Sequence, residues 1–186
     1  LPKYFKKPII NALSDMSHPC QAISDLYTLR EIFGTIDNLR IIWMGDMNNV
    51  LFSLLEVLNF TAGSRIDIFT NEKIYKQNKS KFNFSTNYYI HFEIDYEIIS
   101  QCNCIMTDVF TSMNDKENKE KLLRKFIVDN KIMSHTRDSC VFMHCLPAKI
   151  GSEVTNDVIK GSKSVVLQQA RNRLIAQNGI LKWLNT

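Results

Sequence analysis

Short apolar runs rich in Ile, Val, Met and Phe alternate along this chain with segments of helical periodicity. Six runs are candidate strands: "LRIIWMG" (39–45), "RIDIFT" (65–70), "YYIHF" (88–92), "NCIMTD" (103–108), "CVFMH" (140–144) and "SVVLQ" (164–168). Nearly continuous hydrophobicity is typical of strands covered on both faces, and alternation with helices indicates a parallel sheet. We therefore predict an α/β fold, a doubly wound, Rossmann-like parallel sheet with helices on both faces, in three layers.

Four segments between and around these runs have helical patterns. They are "HPCQAISDLYTLREIF" (18–33), "NVLFSLLEVLNF" (49–60), "NDKENKEKLLRKFIVDN" (114–130) and "QARNRLIAQNGILKWL" (169–184). The second is apolar around much of its circumference, which predicts deep burial. The third is strongly amphipathic, and its charged start is predicted to face solvent.

The composition restricts the class of partner. The 186 residues carry a mild net charge of +4, and the richest basic stretch, "EKIYKQNKSK", is predicted to be a solvated helix end or loop. We therefore expect no nucleic-acid partner. No apolar run approaches the roughly 18–20 residues that span a membrane, so we expect no membrane insertion, and the apolar part of "LPKYFKKPII" is too short for a signal peptide.

The five cysteines are odd in number and lack a disulfide-like spacing, which predicts free thiols in a reducing compartment. Cys102 and Cys104 alternate along an apparent strand and so share one face. No second Cys or His pair stands at zinc-site spacing from them. We expect these two to be buried structural thiols rather than metal ligands.

Ligands of doubly wound sheets bind at the carboxyl ends of the strands, near the point where the strand order reverses. The first strand ends in "WMGDMNN", where G-x-G-x-x-G is absent and Met47 occupies the second glycine position. A side chain there would obstruct a pyrophosphate, which argues against a dinucleotide cofactor. Asn48 and Asn49 open a helix, and either capping or presentation of amides to a polar ligand fits them.

The fourth strand ends in "TDVFTSM". Asp108 leaves the sheet at its carboxyl edge, where a carboxylate suits an ammonium group. Free backbone N–H groups beside Ser112 and Met113 suit a carboxylate. Together these are recognition elements for an amino acid, with the alternative that Asp108 only caps the next turn.

The fifth strand ends in "MHCLPAK", which brings Cys145 to the same edge. The thiol is a candidate nucleophile, metal ligand, redox group or substrate-positioning residue. Along an extended backbone His144 should point to the opposite side, so the adjacent pair is poor evidence for a catalytic dyad. A buried structural pair is the alternative.

Two further candidates come from the helices at either end of the sequence. Arg173, near the start of the last helix, is placed to reach the same edge, and its planar fork fits an oxyanion or a polarised carbonyl. His18 and Gln21 are three residues apart, so they share one face of the first helix.

Assembled in order, these segments resemble the ornithine carbamoyltransferases. The matching stretches are "PIINALSDMSHPCQ", "WMGDMNNV", "MTDVFTSM", "HCLPAK" and "QQARNRLIAQNGIL". H-C-L-P distinguishes them from relatives that use aspartate, which have Pro in place of the cysteine. D-x-x-x-S-M is the amino-acid-binding signature of the family.

The resemblance implies a role for each matching residue. His18 and Gln21 are expected to contact the carbamoyl group of carbamoyl phosphate. The α-amino and α-carboxylate groups of L-ornithine are expected to be held by Asn49, Asp108, Ser112 and Met113. Cys145 is expected beside the δ-amine and, with Leu146, to offer backbone carbonyls to the carbamoyl NH₂, while Arg173 polarises the carbamoyl oxygen.

The implied reaction is direct attack of the neutral δ-amine on the carbamoyl carbon, with no cofactor, no metal and no covalent enzyme intermediate. The resemblance divides the chain into residues 1–36, the end of a carbamoyl-phosphate domain with a linking helix, and residues 37–186, the aspartate/ornithine-binding domain. The S-T-R-T phosphate-binding motif is absent from the sequence, which implies a separate carbamoyl-phosphate-binding half as partner. The family forms homotrimers, in the cytoplasm or, in eukaryotes, the mitochondrial matrix.

Two positions depart from the family pattern: Asn114 where Gly is usual, and Arg171 where an acidic residue is usual. Arg171 is expected to lie beside Arg173 and disturb its placement. The alternative function is a non-catalytic, amino-acid-binding remnant of the family, and a generic nucleotide-binding domain is a third candidate.

Overall fold

A parallel sheet of five strands forms the centre of the computed structural model, which describes residue 4 and residues 6–81, 84–111 and 118–185. The strands are β1 (Arg40–Met44), β2 (Arg65–Phe69), β3 (Asn87–His91), β4 (Cys104–Thr107) and β5 (Val141–His144). Their order is β3-β2-β1-β4-β5, and each neighbouring pair is parallel. Five of the six predicted strands are thereby confirmed, to within one residue at each end.

Helices connect and flank the strands. Those in the described part are α1 (Pro19–Phe33), α2 (Asn49–Leu58), α3 (Glu72–Asn78), α4 (Tyr96–Ser100), α5 (Glu120–Leu123), α6 (Asn130–Ser134), α7 (Asn156–Ile159) and α8 (Val166–Leu184), with short 3₁₀ turns at Lys79–Lys81 and Arg124–Phe126. Among these described segments, none combines the length and the apolar character that a membrane crossing requires.

The strand order creates one topological switch point. The chain runs outward from β1 through β2 to β3, returns to place β4 on the other side of β1, and ends the sheet with β5. Because parallel crossovers are right-handed, the connections on the two sides of β1 cover opposite faces of the sheet. The predicted α/β, doubly wound fold is confirmed, and its ligand-binding edge is expected where β1 and β4 end side by side.

Buried hydrogen bonds fix the carboxyl ends of these two central strands. The Thr107 hydroxyl donates to the Met44 carbonyl at 2.6 Å, and the Trp43 indole N–H donates to the Asp46 carbonyl at 2.8 Å. Both side chains are almost fully buried. Met47 is buried as well, so an apolar side chain fills the place that a dinucleotide fingerprint would leave open.

The burial predicted for two of the cysteines is confirmed. All five are free thiols, and Cys102 and Cys104 are buried. Cys102 Sγ lies 3.4 Å from Cys140 Sγ, at the edge of the sheet where the strands begin.

The sixth predicted strand is wrong. Ser164 forms only an isolated parallel bridge with Phe142, and the Val165 N–H donates to the Phe142 carbonyl at 3.0 Å. The Val165 carbonyl then accepts from the Gln169 N–H, which starts α8. The β-branched pair in "SVVLQ" therefore touches the sheet once and enters a helix, because tertiary context outweighs β-propensity.

The prediction of an amphipathic helix over residues 114–130 is also wrong in the part that the structure describes. Residues 120–126 form one helical turn and one 3₁₀ turn. The Val128 N–H then donates to the Glu153 carbonyl at 2.9 Å, and its own carbonyl accepts from Thr155. Asp129 caps α6 by accepting from the Ile132 N–H. Pairing with a distant segment and a new cap therefore end the helix.

Gly45 gives a test of how tightly the switch point is packed. Its φ of +127° favours glycine, and a Cβ there would lie 2.8 Å from Phe110 Cε1. We expect Gly45→Ala to destabilise the protein by about 2–5 kcal/mol, from backbone strain plus overpacking. The urea midpoint measures this. Gly179→Ala is the control, because a Cβ at this position of α8 meets nothing within 4 Å. This substitution should stabilise the protein by about 0.5–1 kcal/mol. A neutral Gly45→Ala would contradict the expectation.

Candidate active site at the switch point

Asp108 connects the ends of three strands. It follows β4 directly and is only 7% exposed. Its Oδ2 accepts a 2.7 Å hydrogen bond from Asn48 Nδ2, after β1, and its Oδ1 accepts from Cys145 Sγ at 3.1 Å, after β5. A carboxylate without a cationic side chain within salt-bridge distance in the described residues is thus held at the switch point, where it can receive an ammonium group.

The two asparagines after β1 have different roles. Asn48 does both things left open by the sequence: its Oδ1 accepts from the Val50 and Leu51 N–H groups as the cap of α2, and its Nδ2 holds Asp108. Asn49 is half-buried, and its Nδ2 donates to the Ser14 carbonyl at 2.7 Å. The Asn48 contact with Asp108 was missed, although an N-cap side chain at a switch point has a spare donor that could have indicated it.

His18 and Gln21 lie at the start of α1 with unused polar atoms. His18 is 8% exposed and Gln21 is fully buried. His18 Nδ1 and Gln21 Oε1 have no hydrogen-bond partner in the described part of the chain. Burial, and then the charge of Arg173, lower the pKa of His18, so its imidazole is neutral at physiological pH. Two unsatisfied buried acceptor or donor atoms one turn apart suit a small polar ligand.

Arg173 completes the group from α8. It is half-buried and lines one pocket with Cys145, Leu146 and Pro147. Its positive charge contributes to the lowered pKa of His18 and opposes the raised pKa of Cys145. Part of the predicted site is therefore brought together: Asp108 contacts Cys145 at 3.1 Å, and Cys145 shares a pocket with Leu146 and Arg173.

Arg171 does not line the pocket that contains Arg173. It is exposed and lines a different pocket with Glu31, Gln168 and Asn172. Its charge acts on the Glu31 carboxylate and lowers the pKa of that group, after the larger effect of the Gln168 and Asn172 amides. Two residues along a helix differ by about 200° in direction, so the two arginines face different sides of α8.

His144 and Cys145 do not point to opposite sides as expected. One ligand atom from each of Asp108, His144 and Cys145 lies within 4.8 Å of the others. The alternation rule fails because β5 ends at His144, so Cys145 is no longer on an extended strand.

The His144 ring is nevertheless occupied. Its Nδ1 accepts the Leu146 N–H at 2.9 Å, and its Nε2 lies 3.1 Å from Glu153 Oε1. Since Nδ1 accepts, Nε2 carries the proton and donates to the carboxylate. Neither nitrogen is free to act as a base for Cys145 or to bind a metal ion without breaking one of these bonds.

Cys145 itself is a poor nucleophile. Burial raises the pKa of its thiol well above the usual value, and the neighbouring Asp108 carboxylate raises it further. The thiol donates a hydrogen bond to Asp108. The next residue, Leu146, adopts a left-handed φ of 55°, and its peptide bond to Pro147 is cis. Since the thiolate is the reactive form, the raised pKa of the thiol and its bond to Asp108 favour the positioning role among the four considered for Cys145.

Alkylation by iodoacetamide tests this environment. At pH 8 we expect slow modification of Cys145, and several-fold faster modification in Asp108→Asn, because removing the negative charge lowers the pKa of the thiol. Mass spectrometry of the tryptic peptide measures the rate. Asp157→Asn, an exposed carboxylate on α7, is the matched control. An unchanged or slower rate in Asp108→Asn would contradict the assignment.

Two predicted site residues cannot be placed. Ser112 and Met113 lie outside the described residues, as does Asn114. Shortly after these residues in the sequence, Lys119 Nζ contacts Asp46 Oδ2 at 2.8 Å. The assignment of Ser112 and Met113 to the α-amino and α-carboxylate groups of ornithine stays a prediction.

Comparison with known proteins identifies the family to which the chain is similar. The family model of the aspartate/ornithine carbamoyltransferase Asp/Orn binding domain matches residues 37–184. The chain is 37% identical to ornithine carbamoyltransferase of Methanocaldococcus jannaschii over 98% of its own length. It superposes on ornithine carbamoyltransferase from Thermus thermophilus with a TM-score of 0.82 at 34% identity, and on that from Pyrococcus furiosus with 0.80 at 37%.

Coverage of these relatives is partial. The chain spans 63% of the Methanocaldococcus protein and 60% of the other two chains, while 97–98% of its own length is matched. The family match, the sequence identity and the shared fold point to the same family. The chain belongs to the aspartate/ornithine carbamoyltransferase family, of which it carries the Asp/Orn binding domain.

Proposed function

We propose that this protein is an ornithine carbamoyltransferase, which transfers the carbamoyl group of carbamoyl phosphate to the δ-amine of L-ornithine and releases citrulline and phosphate. The observation that carries the proposal is the buried Asp108 carboxylate at the switch point, bonded to Asn48 and Cys145. The names of the similar proteins support ornithine as the acceptor.

The amino-acid end of ornithine is assigned to the Asp108 side of the site. The carboxylate is ready to accept an ammonium N–H, and in this geometry an incoming cation would gain a charge-assisted bond in a water-poor environment. Asn49, Ser112 and Met113 are proposed to hold the rest of the α-amino and α-carboxylate groups. We prefer ornithine to putrescine because these residues recognise an α-amino acid.

The carbamoyl group is assigned to the other side, between α1 and α8. His18 and Gln21 offer unpaired buried atoms there, Arg173 supplies a positive charge for the carbamoyl oxygen, and Cys145 and Leu146 present backbone carbonyls to the NH₂. Preorganised donors of this kind stabilise the negative charge that develops on the carbonyl oxygen.

The chemistry needs orientation and proton removal. The lone pair of the neutral δ-amine attacks the carbamoyl carbon, a C–N bond forms, and the tetrahedral oxyanion lies beside Arg173. The C–O bond to phosphate then breaks, phosphate leaves with the electron pair, and the amine nitrogen passes its extra proton to the departing phosphate. An amine with a pKa near that of Lys is mostly protonated at neutral pH, so the site must favour its neutral form.

The reaction also requires a carbamoyl-phosphate-binding half, for which the sequence offers no S-T-R-T motif. Exposed apolar residues support such a partner: Leu167, Leu174 and Leu181 of α8 are 79%, 65% and 51% exposed. Their spacing of seven residues places them on one side of the helix. We propose that the partner half covers this side, and that the free thiols reflect a reducing compartment, the cytoplasm or, in a eukaryote, the mitochondrial matrix.

The alternative is an amino-acid-binding protein of the same family without catalysis. Both functions predict saturable binding of L-ornithine, so calorimetric titration with ornithine, putrescine and L-aspartate tests the amino-acid assignment alone. We expect ornithine to bind more tightly than the other two. Only citrulline formation from carbamoyl phosphate and ornithine separates the enzyme from the binding protein, and its absence would leave the second function.

A further inference from the structure

One buried carboxylate lies outside the residues so far given a role. Asp25, on α1, is fully buried. Its Oδ1 accepts two amide hydrogen bonds of 2.7 Å each, from Gln21 Nε2 and from Gln169 Nε2 on α8. Its Oδ2 has no hydrogen-bond partner, and no salt bridge to Asp25 occurs among the described residues. Placing a carboxylate in such an environment is costly, which calls for an explanation beyond packing.

The carboxylate sets the orientation of Gln21. Because an ionised carboxylate only accepts hydrogen bonds, the side-chain NH₂ of Gln21 must face Asp25. The other end of the amide, Oε1, is then the atom left without a partner. A buried, fixed acceptor one helical turn from His18 suits a ligand that donates N–H, such as a carbamoyl NH₂.

The Oδ1 atom of Asp25 also sets the orientation of Gln169. With its NH₂ directed to Asp25, the Oε1 of Gln169 accepts the backbone N–H of His144 at 2.9 Å. The His144 ring then accepts the Leu146 N–H. A continuous chain of bonds therefore runs from Asp25 to the backbone of the segment that carries Cys145 and Leu146.

We propose that Asp25 is a positioning residue of the site: it fixes the Gln21 amide as an acceptor for the carbamoyl NH₂ and, through Gln169, holds the backbone of residues 144–146 whose carbonyls face the same group. This inference rests on the proposed function for the identity of the ligand. The positioning of the 144–146 backbone stands on the contacts alone.

The spacing of Gln21 and Asp25 could have indicated their contact, since residues four apart share a helix face. Its partner on α8 could not be predicted, because residues 25 and 169 are joined only by the fold. Burial raises the pKa of Asp25 to about 6, with the two amides and Arg173 opposing that rise and Asp108 adding to it. At neutral pH the group is therefore mostly ionised and acts as a pure acceptor.

Two substitutions separate positioning from packing. Asp25→Asn keeps an oxygen at the position of Oδ1, so both amides can retain their orientation. Asp25→Leu has a similar size but no acceptor, so both amides are released. Thermal unfolding of both variants establishes that they fold before any other comparison.

The first readout is amide hydrogen exchange of the isolated chain, followed by NMR. In Asp25→Leu the amides of His144 and Leu146 should exchange about tenfold faster or more, as expected for loss of a buried hydrogen bond. In Asp25→Asn they should remain near wild type. The Phe142 amide, which donates to the Lys163 carbonyl at 2.8 Å, is the internal control and should not change. Unchanged protection at His144 in a folded Asp25→Leu would overturn the proposal.

The second readout is the KM for carbamoyl phosphate in citrulline assays with an added carbamoyl-phosphate-binding half. We expect Asp25→Leu to raise it about tenfold or more while the KM for ornithine changes little, and Asp25→Asn to restore it. Equal effects on both KM values would overturn the role of Gln21. If wild type forms no citrulline but the exchange result holds, the proposed function fails and the backbone positioning by Asp25 stands.

Discussion

Replacing Asp108 by alanine should weaken binding of L-ornithine by about 30-fold or more. Truncating one partner of a buried, hydrogen-bonded charge pair costs about 2–5 kcal/mol, and each 1.4 kcal/mol is about tenfold in affinity. Asp108 is 7% exposed and has no competing salt bridge within the described residues, so the ammonium group of the ligand would be its main cation. Calorimetric titration of the folded variant measures the loss.

The controls for Asp108→Ala separate charge from shape. Asp108→Asn keeps the size of the side chain and an acceptor for Cys145 but removes the charge, so it should lose most of the same affinity. Asp157→Asn removes an exposed charge from α7 and should bind ornithine as wild type does. Wild-type affinity in a folded Asp108→Ala would refute the assignment of the amino-acid site.

Replacing Arg173 by alanine should lower kcat by about 10²–10³-fold, the usual cost of removing one donor to a developing oxyanion. The KM for ornithine should change far less, because the guanidinium is assigned to the carbamoyl oxygen. Arg173→Lys keeps a charge but loses the planar fork, and should recover only part of the rate. Steady-state citrulline assays with both substrates varied measure these values.

The matched control for Arg173 lies two residues away. Arg171 is exposed and lines the pocket with Glu31 on another side of α8, so Arg171→Ala should leave kcat within about threefold of wild type, as is usual for surface substitutions. If the two variants lose activity equally, the loss reflects damage to α8, and the assigned role of Arg173 would be wrong.

The sequence was most informative where burial and strand geometry act locally. The apolar runs predicted five strands almost to the residue, and the rule for strand ends selected Asp108 and Cys145, whose side chains lie 3.1 Å apart. Arg173 and His18 could be chosen only as helix residues within reach of the edge. The resemblance to known proteins supplied their roles.

The wrong sixth strand, the wrong helix over residues 114–130 and the missed Asp25 contact share one physical cause, which is contact between distant segments. "SVVLQ" has the composition of a strand, yet only Ser164 pairs with the sheet. Val128 lies in a sequence with helical periodicity, yet its backbone is bonded to Glu153 and Thr155 instead of continuing the helix. The contact between Asp25 and Gln169 crosses 144 residues. No local pattern reports such pairings, because propensity and periodicity describe neighbours along the chain.

Citrulline formation tests the central claim most directly. The chain is mixed with carbamoyl phosphate, L-ornithine and the part of the Thermus thermophilus ornithine carbamoyltransferase that the chain does not span, and citrulline and phosphate are both quantified. Each component is omitted in turn, and Arg173→Ala replaces the wild type in a parallel reaction. We predict equal amounts of the two products that require every component and fall sharply with the variant. Ornithine binding without any citrulline in the complete mixture would contradict the claim that this protein is a carbamoyltransferase.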